Sequence, residues 1–447
     1  MTLEQRLHDS LGSLPSGFKI QVYQVACQPK KHRLYINREP ATHVQRLILV
    51  QLENDTDNGF VCGLEADEYT LKDKETMERV VYIAKVDTTG QFSNQRINVT
   101  RRLLEAYLAS VAPCSIYIFA RSQPQYLFHQ SALNPDKRVL SDRGLIRWWR
   151  SVLTQCLKNA QSSNHDNKNG IAWWHVPGAD NVSILERQVN CTPDPNWKYG
   201  FPFDPNARAA DVIPRFSDDV KARVLKDHDN DDQMTVSALT QLLEITEECG
   251  SNHFIGLLGI HLPAFDDSNQ DNSSESRSSS SQLYRDSDTF TTFWNALMSK
   301  SFKDSPTIEK STRKLCSKWN QYGLPEPITI TSSGPAITRE TPSTVTSVNT
   351  LTVKRTTAQL PINVLSVKRK DTTTTTAQQP INILSVKRKD TATITTQQPI
   401  NTLTVKRKDN TTADPPINTL TVKRKDNTTT NQPVKRSRNE HTSTDNN

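Results

Sequence analysis

The chain has 447 residues, 34% of them hydrophobic, and a formal net charge of +7. The hydrophobic share lies below the roughly 45–50% of an average globular chain, and no run approaches the roughly 18 apolar residues that a membrane span needs. Residues 323–447 hold 18 Lys and Arg against 9 Asp and Glu and contain no Phe, Trp or Tyr, while residues 1–322 hold 37 against 39. The front of the chain can therefore bury a core, and the rest cannot. A basic tail on a near-neutral body points to an acidic partner, nucleic acid or a histone chaperone. It argues against a body that reads DNA sequence directly. The seven cysteines are odd in number, widely spaced and without a C-x-x-C pair, which argues against a disulfide framework and a Cys-rich zinc site and fits reduced thiols in an intracellular protein. Met1 to Leu14 carries charges throughout and no apolar stretch of the kind a secretory leader has.

In chain order, residues 1–15 read as an amphipathic helix with Leu3, Leu7, Leu11 and Leu14 on one face. Phe18 to Val25, Arg46 to Leu52 and Arg79 to Lys85 read as strands, the last exiting into the turn Asp87-Thr88-Thr89-Gly90. Arg101 to Val111 is predicted helical and Ser115 to Ala120 a short strand. Ser141 and Asp142 can cap a helix running to about Ala160, with Leu145, Trp148, Trp149, Val152 and Cys156 at helical spacing. Met234 to Cys249 is predicted helical, Phe254 to Leu262 a buried strand, and Thr289 to Phe302 and Thr307 to Trp319 the last helices. Residues 266–287, rich in Ser, Asn and Asp, read as a disordered insertion. The expected organisation is one α/β domain over residues 1–325 and a disordered basic tail over 326–447. In that tail a unit recurs five times, starting at Val348, Ile362, Ile381, Ile400 and Ile417 and ending in Lys-Arg or Lys-Arg-Lys-Asp. The first basic residues fall at intervals of 14, 19, 19 and 17, too irregular for a solenoid.

Candidate acids cluster in two places. Asp87 sits at a strand exit, and Asp218 and Asp219 follow Ser217 at a helix start, where Ser217 also fits an ordinary N-cap with two carboxylates favoured by the helix dipole. Trp148 and Trp149 fit a helix core as well as a site. Asp227 to Asp232 looks like a metal loop, but its sixth position is Asp232 and its twelfth Ala238, so the Ca²⁺ pattern fails and no metal is expected.

Three blocks resemble the fungal acetyltransferases that act on lysine 56 of histone H3. They are Ala84-Lys85-Val86-Asp87-Thr88-Thr89-Gly90; Phe119 to Phe128 followed by Leu140 and Leu145-Ile146-Arg147-Trp148-Trp149; and Pro214 to Arg223. The resemblance implies a mixed central sheet wrapped by helices, similar to the CBP-type acetyltransferases. It implies acetyl-CoA held by Val86, Asp87, Thr88, Arg96, Ile97, Asn98, Val99, Thr100, Phe119, Gln123, Arg138, Val139, Leu140 and Trp148. Trp149 and Tyr126 would line the substrate lysine's channel. Asp219 matches the catalytic position, with Asp218 and Asp87 as further candidates, and Lys221 matches a lysine the family acetylates on itself. Histone H3–H4 and histone chaperones are the implied partners, and the nucleus, nucleosome assembly, transcription and DNA-damage tolerance the implied setting. The Lys-Arg-Lys clusters also fit nuclear import. The competing reading is a non-catalytic chromatin or chaperone-binding protein.

Overall fold

In this computed structural model the described residues are 1–72, 76–95, 97–163, 171–179, 181–191, 194–227, 233–246, 254–265 and 283–335. Of the insertion expected over residues 266–287, residues 266–282 lie outside them, as do the five tail repeats; residues 283–287 are described and ordered, since Tyr284 and Arg285 pair with Ala26 and Cys27 and Asp286 caps the helix that starts at Ser287. The elements in order are α1 (Leu3–Gly12), β1 (Lys19–Cys27), β2 (Lys30–His32), β3 (Ala41–Glu53), β4 (Asn58–Lys72), β5 (Met77–Thr88), α2 (Val99–Val111), β6 (Cys114–Ala120) and α3 (Asp142–Ser163). Then come β7 (Ala172–His175), α4 (Val182–Val189), β8 (Trp197–Tyr199), α5 (Ala209–Val212), α6 (Val220–Asp227), α7 (Val236–Ile245), β9 (Gly256–Leu262), β10 (Tyr284–Arg285), α8 (Ser287–Met298), α9 (Ser305–Gln321) and β11 (Ile328–Thr331).

All strands join one mixed sheet in the order β10-β1-β3-β4-β5-β6-β9-β7-β8, with β11 on β1 and β2 on β3. The β3–β4–β5 meander is antiparallel, whereas β5 and β6 run parallel because α2 crosses over between them. Strand alternation sends neighbouring residues to opposite faces. Ile48 and Val50 of β3 join a core with Leu104, Leu108 and Val152 from α2 and α3. Leu47 and Leu49 join another with Phe293 and Trp319 from α8 and α9. The sheet is thus covered by helices on both faces, the α/β arrangement expected from the sequence.

β4 was absent from the expected elements. Its fifteen residues include Gly59, Gly63, Glu65, Asp67 and Glu68, which break the hydrophobic pattern. The glycines let side chains pack closely: a Cβ at Gly59 would lie 2.7 Å from an Ile308 methyl, and one at Gly63 2.9 Å from a Leu49 methyl, each of which would have to shift. The carboxylates are paired inside the fold. Glu68 takes a two-pronged bond from Arg46 (2.6 and 3.3 Å) and one from the Tyr107 hydroxyl. Asp67 meets His43 Nε2 at 2.7 Å, and Glu65 meets Lys85 Nζ at 2.7 Å.

β11 lies past the domain limit expected at residue 325. Lys19 to Val22 pair antiparallel with Thr331 to Ile328, the Ser332 hydroxyl accepts from Phe18 N–H at 2.9 Å, and Trp319 Nε1 donates to the Pro325 carbonyl. The four-residue Ile-Thr-Ile-Thr strand has the same Thr-rich, aromatic-free composition as the tail that follows, so composition alone placed the boundary too early.

His175, at the end of β7, is buried against Tyr199 and Phe201, and neither ring nitrogen has a partner among the described residues. Burial pulls its pKa down to about 4. An unfolded histidine takes up its proton near pH 6.5. The unfolded state therefore binds more protons between pH 6.5 and 4, and the contribution present above 6.5 is lost as pH falls through that window, by up to roughly 3 kcal/mol. Melting curves across this range should show the acid loss shrink by that amount in His175→Phe; an unchanged profile would place the loss elsewhere.

Candidate active site

A cavity of about 510 Å³ opens where the turn after β5, the start of α2 and the segment between β6 and α3 converge. That volume falls within the roughly 300–1,000 Å³ of small-molecule sites. Of the residues expected to hold the cofactor, Val86, Asp87, Thr88, Ile97, Asn98, Val99, Thr100, Gln123, Arg138, Val139, Leu140 and Trp148 line it, as does Tyr126. Arg96 lies outside the described residues. The first turn of α2 forms one wall, and its N-cap Asn98 makes no side-chain capping bond. Free helix N-terminal N–H groups favour an anion there. Exposed Arg138 lines the same cavity.

Phe119 and Trp149 line a second, narrower hollow of about 40 Å³ instead. It shares Val86, Tyr126, Leu145 and Trp148 with the large cavity. Trp149 is 5% exposed, packed edge-on to Trp148 and part of the main core, so it fills the core and faces the hollow at once. The Tyr126 hydroxyl donates to the Arg121 carbonyl and accepts from Gln123 N–H at 2.9 Å. Burial pushes its pKa up to about 12, which keeps it protonated.

Asp87 is buried and its carboxylate is fully engaged. One oxygen accepts the backbone N–H groups of Tyr126, Leu127 and Phe128 at 2.7, 2.8 and 3.0 Å. The other accepts from Thr88 N–H at 2.8 Å and Lys137 Nζ at 2.7 Å. Five donors occupy the roughly four lone-pair sites of a carboxylate. Such a group holds structure, fixing the turn after β5 against the Tyr126–Phe128 backbone and Lys137.

Asp219 is the N-cap of α6, where the sequence offered Ser217: its Oδ1 accepts from Lys221 N–H at 3.1 Å, and Ser217 is exposed. Its other oxygen contacts Lys221 Nζ, forming an ion pair whose residues are 0% and 4% exposed. Asp218 sits at the surface, yet protein around its carboxyl raises its pKa, opposed by a bond from the Tyr82 hydroxyl. None of the three lines either hollow. They are connected to the narrow one through Phe216, which lies 5.8 Å from Lys221 Nζ, stacks on Tyr82 at 4.3 Å and packs in a cluster that touches Ala84 and Phe119. Among the described residues, no group of three or more His, Cys, Asp or Glu could hold a metal ion, and no helix is long and apolar enough to cross a membrane.

The cavity wall also includes Lys137 and Phe92, which sequence reasoning passed over, and Gly90, Ser122 and Leu145, which lie in the quoted motif blocks but were not assigned to the site. Gly90 has φ +92°, so the Thr-Thr-Gly turn was a legible sign of a fixed backbone bend.

A family profile described as the histone acetyltransferase KAT11-type domain matches residues 110–318. The histone acetyltransferase rtt109 of Schizosaccharomyces pombe is 28% identical over 227 residues, 46% of this chain and 57% of that protein. The Aspergillus flavus protein is 23% identical over 309 residues, 55% of this chain and 54% of its own length, and the Candida albicans protein 30% over 148 residues, 32% and 37%. Over part of its length this chain is therefore similar to histone acetyltransferases of the Rtt109 type. It spans about half the length of the curated relatives it matches. The crystal structure of Rtt109 from Aspergillus fumigatus superposes with a TM-score of 0.59 at 22% identity, covering 74% of this chain and all of that one, which shows a common fold.

Proposed function

We propose that this protein is a histone lysine N-acetyltransferase that uses acetyl-CoA, acts on histone H3 at lysine 56 with a histone chaperone, and works in the nucleus. The observation that carries this reading is one cavity, walled by Val86–Thr88, the first turn of α2 and Arg138–Leu140, that abuts a narrow aromatic hollow. Acetyl-CoA supplies an activated thioester. The α2 N-terminus and Arg138 suit its phosphates, and the backbone of the Val86–Thr88 turn suits its amide-bearing arm. The hollow bounded by Tyr126, Phe119 and Trp149 suits the aliphatic stem of a lysine. Such an amine, with an ordinary pKa of about 10.4, must lose its proton before it attacks, and Asp219 is the residue assigned to favour that step. The basic tail repeats supply weak contacts to an acidic chaperone.

Labelled acetyl-CoA incubated with histone H3–H4 tests the reading, with label on an H3 lysine as the expected result. The tight Asp219–Lys221 pair gives the non-catalytic alternative its one support, since the carboxylate is occupied. In the catalytic reading Lys221 becomes acetylated. The modification removes the ammonium, and a neutral amide is far cheaper to bury. Peptide mapping of purified protein should find Lys221 acetylated. Lys221→Arg, whose charge cannot be removed, should lose most activity, while Lys221→Gln retains more. Fully active enzyme with unmodified Lys221 would contradict this assignment.

A further inference from the structure

Lys137 comes from Asn134-Pro135-Asp136-Lys137-Arg138, a sequence that reads as a solvated turn with ordinary surface charges. The structure puts its ammonium inside. The side chain is 5% exposed, and Nζ lies 2.7 Å from Asp87 Oδ1 and 2.7 Å from Ser131 Oγ. Burial draws this amine below the usual lysine range, and Asp87 opposes the shift.

The surrounding contacts join two walls of the cavity. Lys137 N–H donates to the Asn134 carbonyl at 3.0 Å, and Asn134 Nδ2 donates to the Thr89 carbonyl at 2.9 Å. A Cβ at Gly90 would stand 2.8 Å from both Lys137 N and Asn134 Nδ2, so the two backbones are in direct contact. Arg138, Val139 and Leu140, the next three residues, all face the cavity. Asp87, in the adjoining β5 exit, also pins the Tyr126–Phe128 backbone. A buried ammonium is costly to maintain; here it ties the Arg138–Leu140 segment to the turn after β5, both of which line the cavity.

We propose that Lys137 is a positioning residue for the acyl donor: its ammonium, held between Asp87 and Ser131, fixes the Arg138–Leu140 wall against the Val86–Thr88 turn. This inference rests on the assignment of the cavity to acetyl-CoA. Lys137 does not touch the reacting atoms, so its loss loosens donor binding more than it slows transfer by a saturated enzyme.

The test uses the full chain. Calorimetric binding of CoA is combined with transfer kinetics and melting curves for the wild type and Lys137→Met, which keeps the length and removes the charge. The KM for acetyl-CoA and the Kd for CoA should rise about tenfold or more, with kcat at saturating donor within about threefold and the KM for histone unchanged. Folded Lys137→Met that binds CoA like the wild type, or that loses kcat with an unaltered donor KM, would overturn the proposal. If that variant does not fold, Ser131→Ala decides. It removes one Nζ partner and keeps the ion pair, so the donor KM should rise about two- to fivefold, and an unchanged KM overturns the proposal. A wild type that binds no CoA would instead refute the functional assignment and this inference with it, an outcome distinct from a wild type that binds and a variant that binds equally well.

Discussion

Asp219→Asn is expected to lower acetyl transfer by roughly 10²–10⁴-fold, the range in which a positioned proton acceptor contributes. Asn has the size of Asp and its oxygen can still accept the Lys221 N–H bond that caps α6. The fold should therefore persist. Stability depends on Lys221. While it carries an ammonium, removing the Asp219 charge leaves an uncompensated ion in a site that is 4% exposed, at a cost of about 3–5 kcal/mol. With Lys221 acetylated that penalty vanishes. Turnover measured beside circular dichroism and the acetylation state of Lys221 separates these effects. Normal turnover by the folded variant would remove Asp219 from the mechanism.

Asp87→Ala should be the most destabilising substitution near the cavity. It strands the Lys137 ammonium and the three N–H groups of Tyr126, Leu127 and Phe128 that one carboxylate oxygen holds. Breaking a buried ion pair costs about 3–5 kcal/mol, and each stranded donor adds about 1–3 unless water reaches it. For a folded region of this size the melting temperature should fall on the order of 10 °C. Asp87→Asn, which keeps an acceptor oxygen for the backbone donors, should fall between. A melting temperature within about 2 °C of the wild type would show that Asp87 is not the pin described here.

The contrast between Asp87 and Asp219 shows what the sequence could and could not reveal. Both stood out as acids at the ends of predicted elements, yet only the three-dimensional partners distinguish them: five donors on Asp87, a single lysine and a helix cap on Asp219. The helices were legible because their apolar faces repeat at helical spacing, as Leu7 and Leu11 do in α1 and Val152 and Cys156 in α3. β4 was not, because its carboxylates are paired with Arg46, His43 and Lys85 from neighbouring strands, and pairing across strands leaves no local trace. Lys137 was missed for the same reason. Its partner lies fifty positions away in the sequence. The cavity wall itself was mostly legible through motif resemblance, since Val86–Thr88, Ile97–Thr100 and Arg138–Leu140 do converge on one space.

The most direct test of the central claim is transfer of labelled acetyl from acetyl-CoA to histone H3–H4 by the full chain, with and without a histone chaperone, followed by peptide mapping of the product. The account predicts label on a lysine of histone H3, more of it with the chaperone, and almost none with Asp219→Asn. A folded chain that binds H3–H4 and leaves every histone lysine unlabelled, with chaperone present and Lys221 acetylated, would contradict it.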